Sequence, residues 1–77
     1  MNKNRRSQLD KAHSLILEAQ EIVASVRDEE QEARDNLPEN LQYSERAETI
    51  EEYISTLDDT ESTLDDILSN LTEIIEG

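Results

Sequence analysis

His13 is the only histidine in this sequence, and no cysteine stands anywhere to pair with it. A nucleophile needs a base within hydrogen-bond reach and a third group to orient that base. No serine sits in a nucleophile-turn motif, and Gly77 is the only glycine, so phosphate-cradling loops are absent as well. What remains is carboxylate chemistry, with twenty acids in 77 residues. Asp58-Asp59 and Asp65-Asp66 fall in helical sequence and lack the glycine-turned loop of a calcium site. Glu30 and Glu61 interrupt an otherwise apolar pattern. With Asp10-x-x-His13 they resemble the ligand types of di-metal helical bundles. Folding the chain back on itself separates the two glutamates by several layers, so the expectation is that both reach to the edge and fix register. No catalytic residue, metal ligand or cofactor site is expected, and the protein is read as not an enzyme.

A second set of acids has a different spacing. Glu52, Asp59, Asp66 and Glu73 recur every seven residues, about 10.5 Å along a helix, and Glu51, Asp58 and Asp65 thicken the row. One reading is a partner-binding face that imitates a nucleic-acid backbone and occupies a basic groove. The other is a solvated face, the ordinary fate of a charge run. The distribution of charge favours the first. Residues 1–36 carry eight acids and six bases, whereas residues 45–77 carry eleven acids and the single base Arg46. Solubility alone does not require the bases to be stripped from one half. The net charge of −13 argues against direct contact with nucleic acid and toward a basic protein partner.

These rows presuppose helices. Pro38 and Gly77 are the only proline and glycine, which leaves two long uninterrupted arms, about 5–36 and 45–76, around a loop at 37–44. In the first arm Leu9, Ala12, Ile16, Ala19, Val23, Val26, Glu30, Ala33 and Leu37 follow 3,4 spacing. In the second, Tyr43, Ala47, Ile50, Ile54, Leu57, Glu61, Leu64, Leu68, Leu71 and Ile75 do the same. This is the a/d seam of a coiled coil, and the repeated words Ser55-Thr-Leu-Asp-Asp and Ser62-Thr-Leu-Asp-Asp restate it in letters. Its regularity argues against disorder in an acidic chain that is only 34% apolar. Pro38 disfavours helical geometry at Leu37, Ser44 reads as the cap of the second arm, and Pro38-Glu-Asn-Leu41 predicts a short extra turn that tucks Leu41 under the tip.

A fold-back at residue 40 pairs seam with seam, giving an all-α antiparallel helical hairpin. One flank then sets Arg27 near Glu51 and His13 near Asp65. The other gathers Leu15 and Ile22 beside Tyr53, Ile67 and Ile74. Two helices have nothing left to cover this stripe, which points to self-association into a four-helix bundle, with a homodimer as the simplest form. A groove for a partner helix is the alternative. No apolar run approaches the roughly 20 residues of a membrane span, and no signal-peptide core is present. A cytoplasmic protein without membrane contact is expected.

The segment from Arg27 to Glu48 resembles a stretch found in small acidic helical proteins of bacterial prophages and other mobile elements. The specific wording is Asn36-Leu-Pro-Glu-Asn-Leu-Gln42 with Ser44-Glu45-Arg46. The resemblance covers under a third of the chain and carries no functional residues. It implies a context, in which small phage proteins without catalytic motifs bind and block a host protein. Residues and resemblance together point to a non-enzymatic protein-binding module, an inhibitor directed at the basic surface of a host defence or nucleic-acid-processing protein. The alternative is a structural or adaptor coiled coil that oligomerises or docks a partner helix.

Overall fold

Asn2 caps the first helix, which starts at Lys3, two residues before the expected start at about residue 5. Its side chain accepts a hydrogen bond from the Arg5 backbone N–H at 2.8 Å, which satisfies a donor that every helix start leaves unpaired. Helix α1 then runs Lys3–Asp35 without a break. Asn36 closes it by donating its N–H to the Glu32 carbonyl, and Pro38 holds Leu37 outside helical geometry. The expected extra turn is present as a single 3-10 turn, Glu39–Leu41, in which the Leu41 N–H donates to the Pro38 carbonyl at 2.8 Å. Leu41 is half-buried there. Ser44 opens helix α2, Glu45–Glu76, by accepting from the Ala47 N–H while its own hydroxyl donates to the Leu41 carbonyl. Glu45 and Glu48 complement the positive end of α2.

The computed structural model describes every residue, Met1–Gly77. The fold is an all-α antiparallel hairpin with helices of 33 and 32 residues, which lie against each other as a rod of 60 × 14 × 13 Å measured on Cα atoms. Helices of matched length around a loop centred on residue 40 keep the fold-back the seam predicts. Neither helix is long and apolar enough to cross a membrane.

The seam of α2 faces α1 as expected. Ala47 and Leu68 are buried, and Ile50, Ile54, Leu57, Leu64, Leu71 and Ile75 are half-buried. The seam of α1 needs correction. Leu9, Ile16 and Val23 point inward, but Ala19, Val26 and Ala33 are exposed, as is Tyr43, the first expected seam position of the second arm, which lies in the loop at 96% exposure. In their place α1 turns His13, Gln20, Arg27 and Arg34 toward α2, all half-buried. Alanine gains little from burial. A long polar side chain covers the same seam with its stem and ends on a partner across it. Only two of 77 residues are fully buried, a very small core for a chain of this size.

Candidate protein-binding faces

The four inward polar residues of α1 form one flank of the hairpin, and each meets a residue of α2 seven positions from the last. His13 Nε2 lies 3.3 Å from Thr72 Oγ1, and Gln20 Nε2 donates to Asp65 Oδ1 at 3.1 Å. Arg27 donates to Asp58 at 3.2 Å, and Arg34 Nε donates to Glu51 at 2.9 Å. The sequence-based pairing of Arg27 with Glu51 and His13 with Asp65 is therefore wrong by one heptad. The cause is geometric. Helical side chains lean toward their own N-terminus, so in an antiparallel pair each reaches away from its level neighbour, to a residue further along the opposite arm.

At the tip this flank tightens into a clamp. The Arg34 guanidinium donates to Glu51, to the Gln42 carbonyl at 2.9 Å and to the Gln42 side-chain oxygen, while Gln42 Nε2 donates to the Leu37 carbonyl at 2.6 Å. One side chain, 16% exposed, thus ties both helices to the loop. Arg34 does not pair with Glu30, one turn away. Glu61 is engaged through Arg27 Nε at 3.6 Å and through its backbone carbonyl, which accepts from Gln20. Glu30 instead lines an open groove with Val26, Tyr53, Thr56 and Leu57. No three acids or histidines converge as a metal-holding group.

The clamp and ladder divide the acidic row. Glu51, Asp58 and Asp65 accept hydrogen bonds from Arg34, Arg27 and Gln20 while remaining exposed. Glu52, Asp59, Asp66 and Glu73 are exposed and have no ion pair, since every ion pair in the chain involves Arg27 or Arg34. They form a single file of carboxylates on the outside of α2.

The opposite flank is open. Leu15 is 57% exposed, Ile22 60%, Tyr53 58%, Ile67 38% and Ile74 45%. Val26, displaced from the seam, joins them on α1. On α2 the strip continues through Thr49, Thr56, Thr60, Thr63 and Asn70, which sequence reasoning passed over. Between Thr49 and Ile74 these two rows contain no charge at all, in a helix that carries eleven acids. The missing acids were the signal. Thr49, Thr60 and Thr63 donate their hydroxyls to the carbonyls of Glu45, Thr56 and Asp59. Their hydroxyls are satisfied within the helix, so covering these three positions strands none of them.

No protein-family model matches this chain, and no curated protein or solved structure matches it.

Proposed function

We propose that this hairpin is a non-enzymatic protein-binding module, homodimeric in its working form, that closes its open flank in a four-helix bundle and turns its acidic row to a basic protein surface. The segregation of charge on α2 carries the reading. An uncharged apolar strip suits burial against further helices, while Glu52, Asp59, Asp66 and Glu73 stand exposed and unpaired. Carboxylates in single file, about 10.5 Å apart, suit a groove built to hold phosphates. In the prophage setting implied by the loop, the target is a host defence or nucleic-acid-processing protein in the cytoplasm, and the hairpin is its inhibitor. No cofactor takes part.

The test is to neutralise the row with Glu52→Gln, Asp59→Asn, Asp66→Asn and Glu73→Gln. These positions face outward, so the fold is retained. Capture of basic proteins from bacterial lysate is expected at about 50 mM salt, to weaken sharply near about 500 mM, and to fail for the variant. A variant that captures the same proteins equally well at both salt concentrations contradicts mimicry. A structural or adaptor role on the open flank alone is favoured by the satisfied threonines, which allow dry packing of a partner helix. Binding of that kind persists at high salt.

A further inference from the structure

We infer that the open flank is covered by a second copy of this chain lying antiparallel, tip against open end, about a twofold axis level with Ala19 and Glu61. This rests on the reading that further helices close that flank. The exposed strip of α1 is self-complementary in this direction. Its apolar part is centred on Ala19, with Ala12 and Val26 seven residues to either side and Leu15 and Ile22 between. Beyond it Lys11 borders the Leu15/Ile22 row toward the N-terminus and Glu29 continues that row toward the C-terminus, on the edge that also carries Glu18. Lys11 and Glu29 are exposed and have no ion-pair partner within the chain. Two copies of α1 crossing antiparallel at Ala19 set Lys11 near Glu29 of the second copy.

The second helix obeys the same axis. A fold-back at residue 40 puts Ala19 level with Glu61. Rotation there brings Tyr53 level with the stretch between Ile67 and Asn70 of the second copy. Threonines meet near the axis, where their satisfied hydroxyls leave methyl groups to pack.

Charge along the rod opposes the parallel arrangement. The tip, residues 28–52, carries ten acids and two arginines, net −8. The open end, residues 1–11 and 65–77, carries five acids and four bases, net −1. Tip against tip stacks the two most acidic regions, whereas tip against open end places each near the bases of the other copy. The face is also large enough. A rod 60 Å long and 14 Å wide offers on the order of 800 Å² per copy, matching the roughly 800 Å² per partner of stable interfaces.

Three measurements on the full chain test this. Sedimentation equilibrium is expected to give twice the 8.9 kDa chain mass; a monomer or any larger assembly overturns the proposal. The chain has no cysteine, so Asn40→Cys places one spin label at the exposed tip. The label-to-label distance is expected to be on the order of 50 Å, because the tips lie at opposite ends of a 60 Å rod. A distance under about 25 Å, tip beside tip, overturns the orientation. Lys11→Glu is expected to raise the dimer dissociation constant about two- to tenfold, with recovery when Glu29→Lys is added. Absence of recovery overturns the register. None of these changes touches the outer acid row. A monomer that still captures basic proteins therefore refutes the second copy alone, and a dimer that captures none refutes the acidic face alone.

Discussion

Along one flank of the hairpin, His13, Gln20, Arg27 and Arg34 reach across to Thr72, Asp65, Asp58 and Glu51. Along the other, Leu15 and Ile22 face Tyr53, Thr60, Ile67 and Ile74 with nothing above them. The two flanks lie on either side of one seam, at heptad positions two residues apart on the same two helices. The first is closed within one chain from His13 to Arg34, each of the four side chains reaching a partner across the seam. The second holds most of the exposed apolar side chains of the helices and no closing partner. Half-exposed polar pairs contribute little, typically below about 1 kcal/mol each, whereas burying an isoleucine contributes about 1.5–3 kcal/mol. The closed flank thus sets register, and most of the stability still available to the chain lies on the open one.

Breaking the open flank should have the largest effect. Ile22→Glu with Ile67→Glu puts charge into the strip, and a twofold assembly meets each change twice. Sedimentation is expected to show monomers, and circular dichroism a melting temperature lower by on the order of 10 °C or more. Glutamate in place of Gln20 on the closed flank, beside Asp65, should leave the mass unchanged. Breaking the clamp comes next. Arg34→Ala removes bonds to Gln42 and Glu51 from a side chain only 16% exposed, at an expected cost of about 1–3 kcal/mol in chemical denaturation. Arg34→Lys should recover only part, since an ammonium cannot hold Gln42 and Glu51 in one planar fork. The smallest effect belongs to Arg27→Ala. Its side chain is 33% exposed and its partners Asp28 and Asp58 are more open still, so the loss should stay below about 1 kcal/mol and shrink with added salt.

Much of this was legible in the residues. Pro38 and Ser44 located the turn, and every seam position of α2 from Ala47 to Ile75 was visible in 3,4 spacing. The open stripe of Leu15, Ile22, Tyr53, Ile67 and Ile74 followed from the same count. The seam of α1 was less legible, because alanine at positions 19 and 33 satisfies an apolar pattern without gaining much from burial. The ladder was misplaced because spacing alone ignores the lean of helical side chains. The Arg34 clamp depends on Gln42, a loop residue whose direction no periodicity predicts. The threonines were passed over because a hydroxyl counts as polar until its bond to the carbonyl four residues back is seen.

The claim that the open flank is covered by another copy is tested most directly by melting the wild-type protein over about a hundredfold range of concentration. Unfolding of a dimer is coupled to dissociation, so its melting temperature rises with concentration. Such a rise is expected for the wild type, and a flat, lower melting temperature for the Ile22→Glu, Ile67→Glu variant. A wild-type melting temperature that does not change with concentration would contradict it.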